Sequence, residues 1–334
     1  MSIAADVPAN VPTIALSSPQ SLAATLPYLL GFHPEESLVC VWLHADQVLV
    51  VQRADLPAGA IDGSYVHAYF APAANIRADE VIVVCVTRRN DMGEEAVRRA
   101  TAHVDVPVRS ALILRGSRIR RVGDEWLWVS SQDRLAAARR FRGVLDSVAV
   151  QRSRADVVRE VDFDCEDSTV RESHRVEDAA TTDLEALHAV LLQGRWSSVP
   201  ARRAMQIGAA TARGRDLIIW WCAASRDTKR RELLQALLAG LRMTPTGTAA
   251  ELACAAAAVA WMCGDGVRSN AALDRCLEED PENTMARMLE SAMAIALPPS
   301  DFARMIADVP PDAVGIVDSS VGPEGGRRWG VMDD

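Results

Sequence analysis

The fold class that this sequence predicts is α+β: a mixed α/β sheet N-terminal domain followed by an all-α, repeat-like helical C-terminal domain. Three observations predict it. Near-continuous apolar runs of strand length occur at 38–43 (LVCVWL), 81–86 (VIVVCV) and 109–114, all before position 130. Past about position 182 only the helical period recurs. Between the two lies an acidic seam, residues 155–185, with 11 Asp plus Glu against three Arg.

The elements follow in order. Ser17 or Ser18 caps a first helix, Pro19 suits its first turn, and Leu22, Leu26, Leu29 and Leu30 share one face. Gly31 and Pro34 end it. Strand 38–43 turns through 44–47 into an antiparallel strand 48–53, ended by Asp55-Leu56-Pro57. A helix over 64–75, strand 81–86, a helix from Asp91 to about Val104 and strand 109–114 come next. Gly116-Ser117 and Gly123-Asp124 then punctuate two short strands that end in Trp126-Leu127-Trp128-Val129, and a helix over 132–148 closes the half. The expected domains are 14–150 (sheet), 151–182 (acidic linker), 183–307 (helices, with Gly194, Gly214, Gly247, Gly264 and Gly266 at the breaks) and 308–334 (flexible tail).

Composition narrows the function. Net charge is −9, of which residues 151–334 carry −8 and residues 1–150 carry −1. Such a field repels polyanions, so nonspecific nucleic-acid binding is disfavoured. The basic side is 35 arginines and one lysine, Lys229. That ratio follows codon composition and does not by itself signal phosphate recognition. Seven cysteines, an odd number with no C-x-x-C, read as free buried thiols of a reducing compartment. No basic region precedes an apolar stretch at the N-terminus, and the alanine-rich run 252–263 is too short to span a bilayer. A cytoplasmic, non-membrane protein is expected.

Several segments carry a resemblance. Leu26-Pro27-Tyr28-Leu29-Leu30-Gly31-Phe32-His33-Pro34-Glu35-Glu36-Ser37-Leu38-Val39 resembles the signature of the actinobacterial domain-of-unknown-function 4192 family. Arg53-Ala54-Asp55-Leu56-Pro57 fits it too, as do Ala260-Trp261-Met262-Cys263-Gly264-Asp265-Gly266, Ala271-Ala272-Leu273-Asp274-Arg275 and Asp280-Pro281. The likeness spans roughly residues 14–300 and implies a shared fold; it brings no activity and no catalytic residues. Residues 250–281 also look like one tetratricopeptide-type helix pair, with small residues Ala257, Ser269 and Cys276 where two helices approach. No 34-residue period recurs upstream.

No phosphate-loop, dinucleotide, nucleophile-elbow or zinc-protease motif occurs, so no catalytic residue, metal ligand or cofactor is assigned. Three loops hold the candidate ligand-binding residues. His33 and Glu36 lie in the turn before strand 38–43, where a histidine and carboxylates could do acid/base work or be solvated charges of a sharp reversal. Arg53 and Asp55 follow the second strand, as an anion ligand with its orienting partner or as an ion pair fixing the strand exit. Arg88 and Arg89 follow the carboxyl end of strand 81–86, the favoured ligand end of open α/β sheets, or form a solvated loop. Arg118, Arg120 and Arg121 read as edge-strand charges that deter aggregation. Trp220, Trp221 and Trp261 read as core; a peptide-binding aromatic groove would need them exposed. The leading expectation is a non-enzymatic interaction or regulatory protein that engages a protein partner through its helical domain, with homo-oligomerisation allowed. The alternative is a small-molecule (anion) binding protein or enzyme with a cleft at the strand ends. Sequence-specific nucleic-acid contact through an arginine face is a weaker third.

Overall fold

The structure is a computed structural model that describes residues 18–141, 150–163, 182–194, 196 and 198–314. The chain divides into two compact units, Met1–Val150 and Gln151–Asp334.

In the first unit, α1 (Pro19–Leu30) begins where the Ser18 hydroxyl accepts from the Ser21 amide and stops at Gly31, whose φ of 76° needs no Cβ. It leads into β1 (Ser37–His44), β2 (Gln47–Asp55), α2 (Gly63–Phe70), β3 (Glu80–Val86), α3 (Asn90–His103), β4 (Val108–Arg115), β5 (Arg118–Arg121), β6 (Leu127–Trp128) and α4 (Ser131–Phe141). The helix expected over 64–75 ends at Phe70, and Pro72 sits in a 3₁₀ turn, Ala71–Asn75. The sheet order is β2-β1-β3-β4-β5-β6, parallel between β3 and β4 and antiparallel elsewhere. The runs at 38–43 and 81–86 do mark doubly covered strands, every residue being buried, whereas the run at 109–114 is buried only from Leu112 to Leu114. Leu38, Cys40, Trp42, Val81, Val83 and Cys85 face Val66, Tyr69 and Phe70 of α2 and Ala96, Val97 and Ala100 of α3. Helix α1 packs on α4, with Tyr28 stacked on Phe141. The helix expected over 132–148 is seen to Phe141; its remainder lies outside the described residues.

The arginine strand differs from expectation. β5 is not the edge: β6, two residues long, lies outside it, pairing Arg118 with Trp128 and Ile119 with Leu127. Leu127 and Trp128, inside the stretch expected to end the short strands, supply that outer strand.

The second unit is helical throughout its described residues: α5 (Arg154–Arg159), α6 (Thr182–Gln193), α7 (Val199–Gly208), α8 (Ala212–Ala223), α9 (Asp227–Met243), α10 (Ala250–Met262), α11 (Gly266–Glu279), α12 (Thr284–Ala294) and α13 (Pro299–Ala307). Helix α10 is its hub, buried from Leu252 through Met262 and packed on α8, α9 and α11. Alanine side chains let those helices approach, and Ser269 Oγ of α11 donates to the Ala257 carbonyl of α10 at 2.9 Å. Trp220, Trp221 and Trp261 are core, and Trp220 Nε1 donates to the Val309 carbonyl at 2.8 Å. The exposure that an aromatic groove built on them would require is therefore missing.

The segment taken as an acidic linker starts with α5, whose Val157 is buried and which packs on α11. Alternation of Val157, Val158 and Val161 with charges is too short a pattern to stand out beside the acidic run. Residues 164–181 of that segment, and residues 315–334 of the expected tail, lie outside the described residues; Pro311–Val314 form a 3₁₀ turn.

Two buried arginines hold α5 and α9 to α11. Arg268, 1% exposed, donates to Glu160 and Asp265. Arg275 Nη1 donates to the carbonyls of Val161 and Leu241, Nη2 to Thr244, and Nε pairs with Glu279, whose carboxylate also accepts from the Ala249 amide. Replacing Arg275 by Leu strands a buried carboxylate and three carbonyls, so denaturant unfolding should register a loss of about 3–5 kcal/mol. Gly214 is not at a helix break but inside the first turn of α8, where a Cβ would lie 1.7 Å from the Gly208 carbonyl oxygen. Gly214→Ala is expected to cost about 1–3 kcal/mol or more, read as a lowered denaturation midpoint at unchanged slope.

Candidate functional site

The three loops that hold the sequence-derived candidates come together at the carboxyl end of β3. Gly31 turns the chain out of α1, Phe32 and Pro34 are buried, and Glu36 sits at φ 39°, aiming its side chain across β1 toward the end of β3. Glu36 Oε1 accepts from the Arg88 amide at 2.8 Å. Its Oε2 accepts from Thr87 Oγ1 and from Arg89 Nε, each at 2.8 Å. Arg89 Nη1 continues to the carbonyls of Pro57 and Ala58 at 3.0 and 3.2 Å, and the Leu56 amide donates to the Glu36 carbonyl at 2.7 Å. One carboxylate thus ties loop 31–37 to loop 87–91, and one guanidinium ties both to the exit of β2.

Arg53 fills a second, adjoining knot. Its Nε donates to Ser37 Oγ at 3.0 Å, its Nη2 pairs with Asp55, and its guanidinium lies 5.6 Å from the Phe32 ring centroid. Ser37 Oγ in turn donates to the Glu35 carbonyl at 2.6 Å. Arg88 is exposed and 3.9 Å from Glu35. His33 is exposed and takes no part in the Glu36 knot; partial burial, aided by the Arg134 guanidinium, lowers its pKa from the usual histidine value. The six candidates therefore meet at one end of the sheet, but Glu36, Arg89, Arg53 and Asp55 are engaged with one another and with the backbone rather than lining an open cleft.

The electrostatics of Glu36 follow from its partners. Burial alone would raise its pKa; the Arg88 amide, the Thr87 hydroxyl and the Arg89 guanidinium outweigh it and bring the pKa below the usual carboxylate value. The thiols of Cys40 and Cys85, buried in the sheet beneath, are pushed up to about 12 by burial. Cys40, Cys85, Cys222, Cys254, Cys263 and Cys276 are free. Among the described residues no group of three or more His, Cys, Asp or Glu is placed to hold a metal, and no helix is long and apolar enough to cross a membrane.

The open surface lies one strand further along. The Thr87 amide donates to the Leu114 carbonyl at 3.1 Å, so the end of β4 adjoins the Glu36 knot. There an open basin of about 450 Å³ is lined by Arg115, Ser117, Arg118, Trp126 and Trp128. The Arg118 guanidinium lies 5.7 Å from the Trp128 ring centroid and that of Arg120 lies 4.8 Å from Trp126. Arg120 also pairs with Glu94, and Arg134 Nη2 donates to Ser117 Oγ. Sequence reasoning did not assign this basin. Its signal was the double alternation Arg118-Ile119-Arg120 and Trp126-Leu127-Trp128, which on an antiparallel hairpin places two arginines and two tryptophans on one face.

A six-stranded mixed sheet with charged loops knotted at one end, followed by a helical unit, defines a two-unit α+β scaffold. The chain belongs to the family described as Domain of unknown function (DUF4192), which matches residues 19–300. The matched region contains Glu36, Ser37, Arg53 and Asp55 of the knots and Asp265, Arg268 and Arg275 of the helical core. Comparison with curated proteins and with solved structures finds no match.

Glu36→Gln removes the charge but keeps the shape, and at neutral pH it should lower stability by about 1 kcal/mol, modest because the Glu36–Arg89 pair is over a third exposed. Because the folded pKa lies below the unfolded one, the wild-type advantage is complete above the unfolded carboxylate pKa and is lost as pH falls through the folded value. Thermal melts of both proteins should therefore converge on acidification.

Proposed function

We propose that this chain is a non-enzymatic, cytoplasmic interaction or regulatory protein that binds a protein partner through its helical unit. The observation that carries the reading is the outer face of α12. That helix buries Ala286 and Leu289 against the core, yet its Met288 is 62% exposed, and Ile295, at the cap that ends the helix, is 54% exposed. Met305 of α13 is 61% exposed. Flexible methionines at a surface suit a docking site that adapts to its ligand. Residues 151–334 carry a net charge of −8, so the complementary partner is one that presents an apolar anchor inside a basic rim. Buried free thiols fit a reducing compartment.

The test is a double variant, Met288→Glu with Ile295→Glu, compared with wild type in retention of partners from native extract. A basic partner should be lost at least tenfold while the melting temperature stays put, because both side chains are solvent-facing. Unchanged retention, or a melting temperature that collapses with it, overturns the reading. Sedimentation velocity identifies the occupant as a second copy if a dimer disappears in the same variant.

A second reading, binding of a small anionic ligand at the strand ends, is favoured by the convergence of His33, Glu36, Arg53, Asp55, Arg88 and Arg89. The Glu36 carboxylate there occupies three donors that an external anion could use. Glu36→Gly vacates them without strain, since φ is already 39°. Acetate or phosphate should then raise the melting temperature of the variant more than that of wild type; equal responses would remove the reading.

A further inference from the structure

We propose that the Arg/Trp face of the β4–β6 hairpins is a binding site for a nucleotide-type ligand, a planar heteroaromatic ring joined to a phosphate. The inference uses none of the residues of the helical docking face and stands apart from it.

Four observations meet at this place. An open basin of about 450 Å³ lies here, and its lining includes the guanidinium groups of Arg115 and Arg118 beside two indoles. Arg115 and Arg118 are directly opposed across the Gly116-Ser117 turn, which puts both side chains on the face of the sheet that carries Trp128. Trp128 is 62% exposed although an indole is costly to leave in water. Finally, the basin lies beyond the carboxyl ends of the parallel pair β3 and β4, where open sheets place ligands.

Edge protection does not account for this face, since β5 is covered by β6 and the edge strand itself carries the largely exposed Trp128, an uncovered aromatic that invites association. Recognition of a flat anion explains both. A base stacks on the Trp128 indole, whose ring is already polarised by Arg118 5.7 Å away. The phosphate then meets Arg118, with Arg134 reaching the same rim through Ser117. The net charge of −9 selects among carriers of this chemistry. A free nucleotide brings few charges, whereas a polynucleotide brings one per residue and is repelled by the whole molecule.

The experiment is titration of the purified full chain with ATP, followed by tryptophan fluorescence and calorimetry, with adenosine, inorganic triphosphate and a single-stranded oligonucleotide in parallel. ATP should bind at least tenfold more tightly than adenosine or inorganic triphosphate. Trp128→Ala and Arg118→Gln should each weaken ATP about tenfold, and Trp128→Phe should retain most of the affinity. Melting temperatures of the variants report folding separately. The proposal is overturned by absence of ATP binding at millimolar concentration, by binding indifferent to both variants, by inorganic triphosphate binding as tightly as ATP, or by tighter binding of the oligonucleotide at the same salt.

Discussion

A buried guanidinium brings five N–H donors out of water at once and cannot shed its charge, and the helical unit is organised around that demand. Arg275 distributes its donors over the carbonyls of Val161, Leu241 and Thr244 and the carboxylate of Glu279, so four points of the chain converge on one side chain. Arg268 does the same with Glu160 and Asp265. Arg89 joins Glu36 to Pro57 and Ala58. A lysine, with a single nitrogen, could not reach carbonyls that diverge in this way. The partners of these arginines are set by geometry.

The same demand decides what the sheet end can do. Glu36 accepts three hydrogen bonds and offers its charge to Arg89, so its carboxylate is low in pKa and poorly suited to take a proton near neutrality. Arg53 is likewise engaged by Ser37, Asp55 and the Phe32 ring. These contacts make loops 31–37, 53–57 and 87–91 into a rigid frame. Immediately beside the frame, Arg118 at the β4–β5 turn lies against the Trp128 indole ring, 5.7 Å from its centroid. Rigidity at one strand end and open cationic surface at the next is the arrangement expected of a ligand site held on a scaffold.

The sequence made the layered architecture legible because period alone separates the two halves. Strands covered on both faces read as unbroken apolar runs, and LVCVWL and VIVVCV are such runs. Ser18 and Gly31 bound α1 by local chemistry that needs no tertiary context. Long-range effects were not legible. Gly214 looks like punctuation in a one-dimensional reading, yet it is glycine because α8 runs against the Gly208 carbonyl. Helix α5 has too few residues to announce a period and is fixed by Arg275 and Arg268, more than a hundred residues later. The convergence of the candidate loops likewise depends on strand order, which spacing does not encode. The Arg/Trp face escaped because its two halves lie on different strands, and only the register that pairs Arg118 with Trp128 makes them neighbours.

The distribution of charge constrains how each surface can recognise anything. Residues 151–334 carry −8 and expose Met288, Ile295 and Met305, so on the proposed reading a partner would be drawn by basic charge and held by apolar burial. The sheet unit is near neutral at −1, and the basin charges are two arginines within a molecule of opposite overall sign. Steering from a distance therefore cannot favour an anion. Attraction of an anion would arise only inside about a Debye length of Arg118. The proposed recognition at this basin would therefore draw on stacking against Trp128 as well as on charge. Stacking does not fade with ionic strength, so the ligand that fits best is one that brings a ring and few charges.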